Sequence, residues 1–209
     1  MLQLCLNGVA AIALLMTMFS SAYGITVYSE SINGDLSNDG LNPTVITLTA
    51  GSNNIIGTTG GDTAPNTRDY FTVFVPSNLR LVSLIERAGT QAGNVGFLGV
   101  ESGTQLTLPT NTTTAAGLLG WIHYPPAATD TNILPTMAIA ANGSSGFGPA
   151  LGPGNYTFWL QDSSPGTFSY DFNIVLAPEP SSVVLMIAGI FALWPIVRRR
   201  VRNDERSQD

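Results

Sequence analysis

The chain has 209 residues, of which 44% are hydrophobic and only 11% charged, with 22 glycines, 13 prolines, no lysine and a formal net charge of −6. That length leaves room for one ordinary domain once targeting segments are set aside. Between Ile25 and Leu176 the only cations are Arg68, Arg80 and Arg87, and so acidic a surface excludes nucleic acid as a partner.

The first element is an apolar run, "LNGVAAIALLMTMFSSAYG", which ends in small residues. It reads as a signal peptide covering residues 1–24, with Ala22-Tyr23-Gly24 as an A-x-G site for signal peptidase. A retained N-terminal anchor is the alternative, although the run is short for a spanning helix. The single cysteine, Cys5, lies in this segment. Its removal leaves a mature protein with no thiol, disulfide or cysteine chemistry.

From Ile25 onward the sequence reads as short strands separated by turns. "ITVYSE" opens, "NGDLSNDGLNP" is a polar loop, and "TVITLTAGSNNIIGT" reads as a strand, a turn and a second strand. In "RDYFTVFVP", Phe71, Val73 and Val75 share one face while Tyr70, Thr72 and Phe74 share the other, as suits a strand covered on both sides. "LRLVSLIE" and "NVGFLGVE" are further strands. Between Thr104 and Gly148 only "GLLGWIHY" and "TMAIAA" read as ordered pieces. Tyr156, Phe158 and Leu160 then share a face, Asp162 to Gly166 reads as a hairpin loop on its serines, proline and glycine, and Phe168, Tyr170, Phe172, Ile174 and Leu176 alternate cleanly. Even spacing and Gly/Pro punctuation predict an all-β domain over residues 25–176, an antiparallel β-sandwich of jelly-roll type, with a small closed barrel as the competing architecture.

Few residues offer chemistry. His123 is the sole histidine and has no accompanying serine or carboxylate motif, and no G-x-S-x-G, H-E-x-x-H or P-loop pattern occurs. The ten carboxylates of the middle region read as spread over loops. The protein is therefore expected not to be an enzyme, the alternative being a secreted hydrolase with an unrecognised carboxylate site. The densest polar cluster is "NGDLSNDG", where Asp35-x-Ser37-x-Asp39-Gly40 matches the first half of an oxygen-rich calcium loop. Ile46 occupies the position where an EF-hand needs its glutamate. What remains is a Ca²⁺ site in a β-loop using Asp35, Ser37 and Asp39 with help from Asp62 or Asp69, or else an Asx-turn in which these side chains bond their own backbone.

The last element, residues 177–209, is built from three parts. Pro178-Glu179-Pro180 reads as an extended peptide outside any sheet, because proline cannot continue a ladder and biases its predecessor towards extended backbone. Val183 to Val197 is an apolar run of 15 residues; with the two preceding serines a helix there would be about 25 Å long. Arg198, Arg199, Arg200 and Arg202 then fix a transmembrane helix with its tail in the cytoplasm.

Two resemblances follow from these residues. "DYFTVFVPSNLRLVSL" followed by "GPALGPGNYTFWLQ" and "FSYDFNIVL" is similar to the bacterial pre-peptidase C-terminal (PPC) domain over roughly Ile46 to Leu176. That likeness implies a β-sandwich used for surface attachment or substrate binding. The Pro-Glu-Pro motif, apolar helix and arginine cluster resemble the PEP-CTERM sorting signal, from Ala177 to about Arg202. This second likeness implies recognition by exosortase in a Gram-negative bacterium, transient anchoring in the inner membrane, and delivery to the cell surface or extracellular matrix. The expected role there is adhesion or association with exopolysaccharide and biofilm, and a permanently anchored surface protein is the alternative.

Overall fold

A computed structural model describes residues 24–60, 68–93, 95–109, 114–126, 130–162 and 164–179. The expected signal segment with Cys5 and Ala22, as well as Asp62, Pro180, the apolar C-terminal run and Arg198, Arg199, Arg200 and Arg202, lies outside the described residues. Among the described residues no helix is long and apolar enough to cross a membrane.

The fold is all-β. Its strands are β1 (Ile25–Ser29), β2 (Thr44–Ile46), β3 (Gly51–Gly60), β4 (Asp69–Val75), β5 (Leu79–Glu86), β6 (Gly96–Ser102), β7 (Gly120–Tyr124), β8 (Thr131–Asn132), β9 (Gly154–Asp162) and β10 (Thr167–Pro178). Two single-turn helices, α1 (Glu30–Asn33) and α2 (Leu134–Met137), interrupt them. One sheet has the order β1-β3-β10-β5-β8 and the other β2-β4-β9-β6-β7.

The sheets are mixed rather than purely antiparallel, because β1 runs parallel to β3 and β2 runs parallel to β4. Chain order explains both pairs. β1, β2, β3 and β4 alternate between the two sheets, so each strand that rejoins its own sheet has made an excursion through the other one. Such a crossover brings it back in the same direction. The centres of the sheets remain antiparallel, with Thr167–Leu176 of β10 paired to Gly60–Gly51 of β3 and Asp69–Val75 of β4 paired to Leu160–Gly154 of β9. The link from Asp162 to Gly166 is not a hairpin loop: β9 and β10 belong to different sheets, so it carries the chain from one sheet to the other.

Alternation places the core between the sheets. Phe71 and Val73 of β4, Leu98 and Val100 of β6 and Phe158 and Leu160 of β9 meet Ile55 of β3, Leu81 and Leu84 of β5 and Phe172 and Ile174 of β10 in one buried cluster. Phe71 stacks on Phe158 at 5.0 Å, and Tyr124 meets the ring of Phe172 edge-on at 5.4 Å across the sheets. A second cluster covers the outer face of the β4-β9-β6-β7 sheet. Tyr70 and Trp159 lie there under Leu106, Ala115 and Leu118 from the segment between β6 and β7. This cover explains why β4 is apolar on both faces. Only Phe74, beyond its reach, is exposed.

The chain leaves the fold along β10. Pro178 is the last residue of that strand, opposite Leu79, and the amide of Glu179 donates to the carbonyl of Asn78 at 3.2 Å. Pro178 and Glu179 are thus not outside the sheet as the sequence suggested. Positions in an antiparallel ladder alternate, so a bonded Glu179 turns the nitrogen of Pro178 away from β5. It points to the side where β3 has already ended, at Gly51 opposite Leu176, so its missing N–H costs the ladder nothing. Arg80 Nε contacts Glu179 Oε1 at 2.8 Å.

Candidate functional site

The polar stretch 35–42 divides into two halves with different jobs. Asp39 closes a turn: its Oδ1 accepts from the amide of Leu41 at 2.9 Å and its Oδ2 from Asn42 Nδ2 at 2.7 Å. Ser37 Oγ accepts from the Asp39 amide at 3.1 Å and lies 3.2 Å from the Asp39 carbonyl. These bonds hold the Asp39 carboxyl below the usual carboxylate range, the Asn42 side chain contributing most. Ser37 and Asp39 thereby spend their oxygens on the Asx-turn geometry.

Asp35 goes elsewhere. A carboxylate oxygen of Asp35, one of Glu30 and one of Asp69 lie within 4.8 Å of one another. Three elements bring them together. Glu30 is the first residue of α1, which begins as the chain leaves β1, and Asp35 follows two residues after α1 ends. Asp69 opens β4, and the Tyr70 amide donates to the Ser37 carbonyl at 2.8 Å, which draws the loop against that strand.

Glu30 is held firmly by the other sheet. Its Oε2 accepts from the Thr58 amide at 2.7 Å, and its Oε1 accepts from the Tyr170 hydroxyl at 2.8 Å. Gly57 makes room for this arrangement, since a Cβ there would run into both Glu30 Cδ and the Tyr170 hydroxyl. Burial, with Glu30 and its neighbours adding negative charge, raises the Tyr170 hydroxyl far above its ordinary value and keeps it a donor.

Asp69 is the unusual member. It is 1% exposed, and its Oδ2 is buried with no hydrogen-bond partner. Desolvation, followed by the charges of Glu30 and Asp35, pushes its carboxyl up to about 9, against a smaller lowering from the Thr59 side chain. Each ionised pair at this separation repels by about 3–4 kcal/mol at an effective dielectric near 20. The corner opens onto a solvent-facing recess of about 480 Å³, which Ser29 and Ser31 also line.

Half of the ten carboxylates expected on loops stand on strands instead: Asp69, Glu86, Glu101, Asp162 and Asp171. Glu101 and Asp162 anchor neighbouring loops, Glu101 accepting from the Thr107 amide at 2.8 Å and Asp162 from the Gly93 and Ser164 amides at 2.9 and 2.7 Å. Glu86 is buried with an unpartnered Oε1, and desolvation pushes it up to about 7. His123 is exposed on β7 and lies edge-on to Trp121 and Phe97, at ring distances of 5.1 and 5.9 Å. Trp121 Nε1 donates to the Ala141 carbonyl at 3.0 Å.

Of the other residues singled out in the sequence, Gly24 packs under Asn54, whose Nδ2 donates to its carbonyl at 3.3 Å. The expected calcium set is thus split, with Asp35 joining Asp69 while Ser37 and Asp39 form the turn. Glu30 was missed because "ITVYSE" scans as strand to its end, and a one-turn helix has no periodicity to detect. No family model matches the chain, and no curated protein matches it.

Proposed function

We propose that this chain is an exported, non-enzymatic surface or matrix protein, carried to the exterior by its C-terminal sorting signal. The observation that supports it most is an ordered succession in the sequence: Pro178-Glu179-Pro180, which begins on the last residue of β10, then an apolar run and an arginine cluster. In this reading the β-domain, a PPC-like sandwich of jelly-roll character, is the cargo. Signal peptidase and exosortase process the two ends, the inner membrane holds the chain transiently, and adhesion or exopolysaccharide binding is the work done outside.

The intact mass of the protein recovered from culture medium or matrix tests this reading. Sorting predicts a C-terminus that has lost Arg198 to Arg202, whereas an exterior form that still carries Arg200 contradicts it. Binding without turnover on a panel of exopolysaccharides is the expected behaviour of the domain, and hydrolysis of any of them would replace the binding role with an enzymatic one.

A further inference from the structure

We propose that Glu30, Asp35 and Asp69 form a calcium site that clasps the two sheets together at the N-terminal edge of the domain. This rests on the geometry of the corner alone and is independent of the sorting reading.

Three observations carry it. First, one carboxylate oxygen from each of Glu30, Asp35 and Asp69 lies within 4.8 Å of the other two, and Asp69 is only 1% exposed. Arg68, its neighbour in sequence, directs its Nε to Gln161 Oε1 at 2.9 Å. Second, Asp69 Oδ2 is buried without a hydrogen-bond partner of either kind. A proton on it would find no acceptor, whereas a cation would satisfy the oxygen directly. Third, Glu30 is held as metal-bound carboxylates are, oriented by donors behind it, here the Thr58 amide and the Tyr170 hydroxyl.

The donor set selects the ion. Carboxylate oxygens favour hard cations, and Ca²⁺ accepts irregular sets of about six to eight oxygens at roughly 2.3–2.6 Å. Two oxygens on one such ion can be up to about 5 Å apart, and the three carboxylate oxygens lie within 4.8 Å of one another. The Ser29 and Ser31 hydroxyls and water in the adjoining recess can supply further oxygens, and the recess is the path of entry. The mechanical meaning lies in where the ligands are rooted. Glu30 is bound to β3 and β10 of one sheet, Asp69 belongs to β4 of the other, and Asp35 sits on the crossover between them.

The test is a titration of the full chain in mild detergent after treatment with a chelator. Tb³⁺ is the probe, because Tyr170 is bonded to Glu30 and sensitises emission from an ion bound there. The expected result is emission that Ca²⁺ displaces, with a Ca²⁺ dissociation constant of about 0.1–1 mM, the range of extracellular modules. Asp35→Asn and Asp69→Asn should each weaken Ca²⁺ binding at least about tenfold. Asp39→Asn, whose carboxylate closes the turn, should stay within about twofold of the parent. Asp35 is exposed, so its variant tests the site even if Asp69→Asn fails to fold. The proposal is overturned by emission that Ca²⁺ does not displace, by an Asp35→Asn variant that binds as the parent does, or by an Asp39→Asn variant that loses as much as Asp35→Asn.

Discussion

Asp39 and Asp69 are the same side chain in opposite circumstances. Asp39 lies on the surface with both oxygens accepting hydrogen bonds from its own turn, so ionisation suits it. Asp69 is enclosed with one oxygen unpartnered and two acids facing it, so ionisation is costly. The turn would look much the same in any protein with this local sequence, because all its partners lie within a few residues. The corner exists only because α1, β3, β4 and β10 meet there. Local acids make structure; acids gathered from a distance make a site.

The largest expected difference between the two is in how stability depends on pH. Asp69 has a folded value near 9 against an ordinary carboxyl near 3.9, so between those values the native state holds a proton that the unfolded chain has released. Its contribution is therefore fully present below about pH 4 and is lost as pH rises towards 9, with a slope of up to about 1.4 kcal/mol per pH unit. Glu86, raised to about 7, adds a loss of the same sign that ends near neutrality. Asp39 acts in reverse: its lowered value gives stability that is present above about pH 4 and lost on acidification. Denaturant melts from pH 3 to 9 in a chelator check this. Asp69→Asn should flatten the alkaline decline, and a variant that keeps the full decline contradicts the burial of Asp69.

A smaller effect, about 1–3 kcal/mol of destabilisation, is expected for Gly57→Ala, whose added methyl displaces Glu30 and Tyr170. Chemical denaturation measures it, and an unchanged midpoint would mean that Glu30 is not wedged against β3. The smallest effect belongs to the turn. Asp39→Asn retains the Asx geometry, so its melting temperature at pH 7 should stay within about 2 °C of the parent. A larger drop would show that Asp39 is part of something more than its own loop.

Much of the architecture was legible in the sequence wherever period-2 alternation met a single core. Phe71, Val73 and Val75, and likewise Phe158, Leu160, Phe172 and Ile174, are buried on the faces that alternation assigns them. Strand identity followed from local pattern, whereas sheet membership did not. Whether β10 pairs with β9 or with β3 and β5 is decided by partners far away along the chain. The serines, Pro165 and Gly166 between β9 and β10 are the same turn residues in either case. The cover formed by Leu106, Ala115 and Leu118 shows no period because it belongs to no strand. The acidic corner was half visible: Asp35 and Asp69 could be named as candidates. Glu30 could not, since its role depends on a one-turn helix and on Tyr170, which is 140 residues away.

The position of β10 has a consequence for any pull on the C-terminal end of the domain. It is the central strand of its sheet, flanked by β3 and β5, and the chain continues from it at Glu179. A pull applied there acts along the strand axis. The hydrogen bonds to both neighbours, which lie across that axis, must then yield together in shear rather than open one by one like a zip. A domain pulled by its middle strand resists with both neighbouring strands at once.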